Sequence, residues 1–252
     1  MSCAPGLAPE RSPLRLLADA LSVANLVCGG VGIACALAAR FDLTLFCLLL
    51  GAVFDGLDGL AARRFGGTRF GVLADDVADG VNFGIAPGVA LAVALGGVEG
   101  AVVGGCFALF TVGRLIFFTL DKDQGDPRFF PGVPSTVGGL IALCSLLVFP
   151  TQPALIGLAV GVACAQMVAF RTHYRHLGRA LASRELPRRA AVGFIAWLLL
   201  GGLGWGIQGS VAMILAACLA YGFLPSALAF AAALRSRQTR DDVVHAEPDE
   251  AQ

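Results

Sequence analysis

Apolar residues run along this chain in long, nearly unbroken stretches, and the polar residues collect between them instead of alternating or recurring at a helical period. A helix needs about 20 such residues to cross roughly 30 Å of hydrocarbon. Stretches of that kind fall at 21–39, 43–62, 71–97, 101–120, 133–150, 153–170, 190–207 and 211–234. The pattern predicts an all-α fold, a polytopic integral membrane helical bundle of about eight transmembrane helices. The separators are short and turn-like at Gly96-Gly97, Pro150-Thr151-Gln152-Pro153 and Gln208-Gly209-Ser210, and longer and charged near 63–70, 121–132 and 171–189.

Residues 1–20, with Pro5, Pro9, Arg11, Pro13 and Arg15 leading into Leu16 and Leu17, read as a flexible start passing into an interfacial segment. The apolar run then continues to Ala39 with no small-residue cleavage site, so it is expected to be a retained first span and not a signal peptide. Residues 21–234 form one transmembrane domain. The acidic stretch 235–252 is expected to be a solvated, disordered tail.

Composition agrees with this picture: 57% of the 252 residues are hydrophobic and 14% charged, which excludes an ordinary water-soluble domain. Eighteen Lys and Arg balance eighteen Asp and Glu, so no net basic bias points to nucleic acid. The 33 glycines suit closely packed membrane helices. Of the eight cysteines only Cys3 lies outside an apolar run, and none has metal-ligand spacing; they read as small buried hydrophobes.

With the N-terminus in the cytoplasm, the charged loops and the tail all face inward and Arg40 alone among the cations lies outside. The positive-inside rule therefore puts the charged loops on the cytoplasmic side, and the protein is expected in the cytoplasmic (inner) membrane. The basic loop Arg171, Arg175, Arg179, Arg184, Arg188 and Arg189 reads as topological and attracted to anionic lipid.

The chemistry lies where charge is least welcome. The second stretch carries Asp55 and Asp58, three apart, and the third Asp75 and Asp79, four apart, each pair on one helical face. One ionised group at membrane depth costs about 3 kcal/mol on insertion scales, so four in adjacent spans require compensation. At 1.5 Å per residue Asp55 lies about 12 Å from the Arg63–Arg64 boundary and Asp79 about 15 Å from Arg69, so a hairpin turning at 63–70 brings the pairs level. Hard oxygen ligands in such a layer suit Mg²⁺ or Mn²⁺. Asp76, one position round the helix from Asp75, is expected to point elsewhere and make an interfacial or inter-subunit contact. Small residues interleave the acids, Gly56, Gly59, Ala61 and Ala62 on one helix and Gly71, Ala74, Ala78 and Gly80 on the other. They serve tight packing and also leave room for a phosphate or pyrophosphate on the metals.

The stretch Asp55-Gly-Leu-Asp58-Gly59-Leu-Ala-Ala62-Arg63, followed by Gly71-Val-Leu-Ala-Asp75-Asp-Val-Ala-Asp79, resembles the DxxDGxxAR…GxxxDxxxD motif of the CDP-alcohol phosphatidyltransferases. The gap between Arg63 and Gly71 is seven residues, one fewer than is common. The resemblance implies that Asp55, Asp58, Asp75 and Asp79 together bind two divalent metal ions. It also implies that Gly59, Ala62, Arg63 and Gly71 shape a CDP site, and that Asp79 is in addition the catalytic base. The expected reaction transfers a phosphatidyl group from CDP-diacylglycerol to a small alcohol, at an active site facing the cytoplasm, in a homodimer surrounded by membrane lipid.

Further stretches resemble the phosphatidylserine synthase branch: Asn25-Leu-Val-Cys28-Gly29, Asn82-Phe-Gly84-Ile-Ala-Pro87, Arg114-Leu115 and Phe130-Pro-Gly-Val-Pro134. They imply serine as acceptor, with glycerol phosphate, inositol phosphate or choline as alternatives. The branch usually continues past Arg-Leu with a second Arg and then Phe-Asn, where this chain has Ile116-Phe117-Phe118-Thr119. Arg114, about 9 Å deep in the fourth span and level with the acids, is expected to hold the serine carboxylate or a lipid phosphate, since a guanidinium binds either in bidentate fashion. Pro87 predicts a kink two turns past Asp79. A divalent-cation transporter is the rival reading, disfavoured because the outer halves of the spans are nearly uncharged.

Overall fold

The structure is a computed structural model that describes residues 13–66, 68–120, 129–168, 173–175, 204 and 206–223. Helix α1 spans Pro13–Leu37, α2 Phe41–Phe65, α3 Arg69–Asp79, α4 Ala86–Leu95, α5 Gly97–Leu120, α6 Ser135–Val148 and α7 Pro153–Met167, and α8 covers Gly206–Phe223. A short antiparallel pair, β1 (Phe129–Pro131) against β2 (His173–Arg175), is the only sheet among the described residues. The fold is the expected membrane helical bundle.

Among the described residues, five helical segments are long and apolar enough to cross a membrane: Leu16–Leu37, Phe41–Phe65, Phe70–Leu95, Gly97–Phe117 and Gly206–Phe223. The segments expected at 133–150 and 153–170 are shorter, at 14 and 15 residues. At 1.5 Å per residue they reach only about 21–23 Å. Their limits follow from proline: Pro134 precedes α6, Pro150 stands just beyond it, and Pro153 opens α7. The expected span at 190–207 lies almost wholly outside the described residues, as does the second half of that at 211–234.

The outside of the bundle is apolar. Phe46 is 61% exposed, Leu109 74% and Leu158 64%, the inverse of a protein facing water and the surface hydrocarbon requires. Inside, Leu48, Phe83, Leu91, Phe107, Ile141, Leu143 and Met167 are fully buried and tie α2, α4, α5, α6 and α7 into one core. The described cysteines are free thiols, and Cys28, Cys47, Cys144 and Cys218 are buried as expected of small hydrophobes.

Helix α1 packs against α2, α3 and α4, so it forms the third wall beside the α2–α3 hairpin. That hairpin turns where α2 ends at Gly66, whose φ of 83° suits glycine and whose N–H bonds the Ala62 carbonyl. Thr68 caps α3, its Oγ1 accepting from the Gly71 N–H at 2.9 Å.

Ahead of Pro87 the third span does not continue as a regular α-helix. The chain passes from α3 to α4 through a π-helical turn, Gly80–Ile85, in which the Ala86 N–H reaches back to the Val81 carbonyl. Proline offers no N–H to the Phe83 carbonyl, and its ring would crowd that oxygen in α geometry. A wider turn absorbs both problems and re-aims the side chains just after Asp79.

Helices α4 and α5 reverse through Gly96 and Gly97, both at positive φ, and then pack backbone to backbone. A methyl placed on Gly88 would sit 2.7 Å from the Gly104 carbonyl oxygen, one on Gly104 would strike the Gly88 carbonyl oxygen, and one on Gly100 would sit 2.6 Å from that of Ala92. This is small-residue packing of the membrane type. Gly104→Ala should therefore destabilise the detergent-solubilised protein by about 1–3 kcal/mol, the usual cost of overpacking. Gly105→Ala, with no atom near the added methyl, should melt like the parent; equal melting temperatures for the two variants would refute this packing.

Candidate active site

The α2–α3 hairpin carries the four acids into the bundle, and α1 closes over them. Asp55, Asp75 and Asp79 each offer a carboxylate oxygen, and the three oxygens lie within 4.8 Å of one another. This is a spacing that one divalent cation, with ligand distances of about 2.0–2.6 Å, can bridge. The donor set consists of hard anionic oxygens, so the residues fit Mg²⁺ or Mn²⁺ and not a softer metal.

Asp58 stands apart from this trio. It is buried, and its Oδ2 accepts a 2.6 Å hydrogen bond from Ser22 of α1. It stays close enough to act electrostatically on Asp79, as do Asp55 and Asp75. Asp76 turns away, as its place on the helix requires, and accepts from Thr119 Oγ1 of α5 at 3.0 Å.

Helix α1 adds Asp19, Ser22 and Asn25 to the site, spaced three apart and so on one face. Asn25 is fully buried and donates through Nδ2 to Asp79 Oδ1 at 3.1 Å. Its Oδ1 accepts from Asn82 Nδ2 at 2.8 Å, Asn82 being carried by the π turn. Gly51 of α2 makes room for the pair, since a methyl there would collide with both amides. Asp19, also buried, accepts from Thr68 Oγ1 at 2.8 Å and so ties α1 to the cap of α3.

The residues assigned to a CDP site fall into two groups. Gly59 looks onto open space, and a methyl there would meet only the Arg63 guanidinium at 3.5 Å. Ala62 is half-buried and Arg63 exposed beside it. Gly71 is buried against Asp19, whose carboxylate would strike any added methyl, which gives this position a packing reason to be glycine. Arg114 of α5 is buried and interacts electrostatically with Asp79 and with Tyr221 of α8. It lines an open groove of about 390 Å³ with Leu109, Phe110, Gly113, Phe117 and Val168.

Sequence reasoning assigned no role to Asp19, Ser22 or Thr68, and quoted Asn25 and Asn82 only as part of longer resemblances. A signal was present. Three polar residues at one-turn spacing in an otherwise apolar helix mark the face turned toward the acids.

A sequence model of the family described as CDP-alcohol phosphatidyltransferase matches residues 15–169, which include every residue just described except Tyr221. A protein of Helicobacter pylori strain J99 named CDP-diacylglycerol–serine O-phosphatidyltransferase is 31% identical over 141 residues, covering 54% of this chain and 60% of that protein. Its counterpart of the same name in Helicobacter pylori strain 26695 is 30% identical over the same length and shares. The chain thus spans 60% of the length of the curated relatives it matches. With the motif residues gathered on one hairpin and the family match running across more than half of the sequence, the chain belongs to the CDP-alcohol phosphatidyltransferase family.

Proposed function

We propose that this protein transfers a phosphatidyl group from CDP-diacylglycerol to L-serine, giving phosphatidylserine and CMP. The observation that carries the reading is the convergence of Asp55, Asp75 and Asp79 within 4.8 Å, with Asp58 beside them, inside an apolar bundle. Family membership supports the donor, and the names of the Helicobacter pylori relatives support the acceptor. The active site faces the cytoplasm, on the side of the cationic loops, and the working form is a homodimer.

Asp55, Asp58, Asp75 and Asp79 would hold two divalent ions, Mg²⁺ or Mn²⁺, which when bound neutralise charge on the pyrophosphate of the donor. Gly59, Ala62, Arg63 and Gly71 border the nucleotide. Asp79 accepts the proton of the serine hydroxyl. The serine oxygen then bonds to the phosphorus that bears diacylglycerol, the bond from that phosphorus to the CMP oxygen breaks, and CMP leaves. Arg114 holds the serine carboxylate with its planar guanidinium. The apolar groove beside it accommodates part of the lipid.

The reading is tested by assaying purified protein with radiolabelled CDP-diacylglycerol against serine, ethanolamine, choline, glycerol phosphate and inositol phosphate. Serine should be used best, and a clear preference for any other acceptor would overturn the assignment. Asp79→Asn keeps size and one oxygen but removes the base, so transfer should fall by a factor of about 10² or more while donor binding survives in part. Turnover close to the parent at saturating metal would dismiss Asp79 as base.

Asp55→Asn and Asp75→Asn should raise the Mn²⁺ concentration needed for half-maximal activity, because each removes an anionic oxygen from a shared site. Asp76→Asn, whose carboxylate is engaged by Thr119, should shift it far less. The reverse order would mean that the wrong face of α3 has been assigned. Arg114→Ala should raise the serine KM by about 2–3 kcal/mol in free-energy terms, the worth of a hydrogen bond to a charged group. The KM for CDP-diacylglycerol should barely change, and an unaltered serine KM would remove Arg114 from the acceptor pocket.

A further inference from the structure

We propose that Asn25, oriented by Asn82, is a positioning residue that holds the Asp79 carboxylate in its working orientation. The inference rests on the proposed function for its kinetic test and on the hydrogen-bond geometry for its substance. Three elements converge on one seam. Asn25 comes from α1, Asn82 from the π turn and Gly51 from α2, and both asparagines are fully buried. The chain of bonds runs from Asn82 Nδ2 to Asn25 Oδ1 at 2.8 Å, then from Asn25 Nδ2 to Asp79 Oδ1 at 3.1 Å.

The polarity of that chain is dictated from its acidic end. An ionised carboxylate only accepts, so the amide of Asn25 must present its NH₂ to Asp79 and its oxygen to Asn82. Asn82 must then present its own NH₂ to Asn25, which leaves Asn82 Oδ1 buried with no hydrogen-bond partner among the described residues. Helix packing alone does not call for such an arrangement. Two apolar side chains of similar shape would fill the seam with no amide oxygen left unsatisfied, at the cost of the donor to Asp79. What the asparagines add is direction. With Asn25 engaging Oδ1, the Asp79 carboxylate is fixed about its side-chain torsion while it still offers an oxygen to the cluster with Asp55 and Asp75. The widened turn that accommodates Pro87 also carries Asn82, so the backbone irregularity and the polar pair form one device.

The test uses the full chain in detergent with three variants that keep volume, Asn25→Leu, Asn82→Leu and the double variant. Steady-state kinetics and Mn²⁺ binding followed by electron paramagnetic resonance are the readouts. Loss of the outer hydrogen bond to a ligating carboxylate should lower kcat and weaken Mn²⁺ binding by about tenfold to a hundredfold in Asn25→Leu, with the KM for CDP-diacylglycerol within about twofold of the parent. Asn82→Leu, which leaves Asn25 in place without its guide, should lose less. The double variant should fall with Asn25→Leu in kcat and Mn²⁺ affinity, whereas a merely structural role predicts a lower melting point with parental kcat and Mn²⁺ affinity in whatever remains folded. Parental kcat and Mn²⁺ affinity in Asn25→Leu would overturn the proposal. If that variant fails to fold, the same parental values in Asn82→Leu would do so. A parent protein that binds Mn²⁺ but transfers nothing from CDP-diacylglycerol would sink the proposed function instead, and the Mn²⁺ measurements would still decide the role of Asn25.

Discussion

Placing four carboxylates inside an apolar bundle is the constraint from which the rest of this structure follows. Each ionised group away from water costs several kcal/mol unless something opposite in charge or rich in hydrogen-bond donors stands beside it. Helices α2 and α3 cannot supply the compensation, because both present acids to the seam. Helix α1 is therefore pressed against the hairpin, bringing Ser22 to Asp58 and Asn25 to Asp79. The same helix reaches the hairpin's turn through Asp19 and Thr68, so the geometry of the acids and the angle between α2 and α3 are held by one partner. Glycine appears where this closeness is greatest, at Gly51 beneath the asparagine pair and Gly71 against Asp19.

The remainder of the bundle is a frame for that seam. Helix α5 lies flat on α4 because Gly88, Gly100 and Gly104 allow carbonyl oxygens to approach Cα atoms, and the same helix places Arg114 on the Asp79 side of the core. Ahead of α6 the chain runs through Gly132, at positive φ, and Val133, whose N–H bonds the Gln166 carbonyl at the end of α7 at 3.0 Å. Small residues, not large apolar ones, set the distances here. In a membrane, burial of apolar surface does not drive helices together, so close contact and hydrogen bonds must.

How much of this was legible in the sequence depends on whether one helix or several decide the outcome. The spans from 21 to 120 and the common face of Asp55 with Asp58 and of Asp75 with Asp79 follow from length and a 3.6-residue period, properties of single helices, and the structure has them. The length of α6 was overestimated because hydropathy counts Val133, Pro134, Phe149 and Pro150 with the apolar run, although Pro134 and Pro150 stand outside the helix at either end. The spacing of Asp19, Ser22 and Asn25 marks a polar face on α1, but the partner that Ser22 meets is not legible in it. Whether Asp58 joins its three neighbours or turns to a hydroxyl depends on how α1 docks, which no periodicity within α2 can state. The π turn belongs to the same class: Pro87 announces that the α geometry must fail nearby, but a kink and a widened turn both answer it.

Charge and hydrogen-bonding capacity are divided between helices in a way that suits a site built to take up cations. A lysine or arginine from α1 would neutralise the acids permanently and occupy the oxygens that a metal needs. Ser22 and Asn25 instead donate single neutral hydrogen bonds, each engaging one carboxylate oxygen and cancelling none of the charge. The orientation of the acids is thus set in advance while their negative potential is retained, the combination under which a divalent ion binds most favourably. The one buried cation among the described residues, Arg114, comes from α5. There it balances part of the field around Asp79 and also lines the apolar groove of α5.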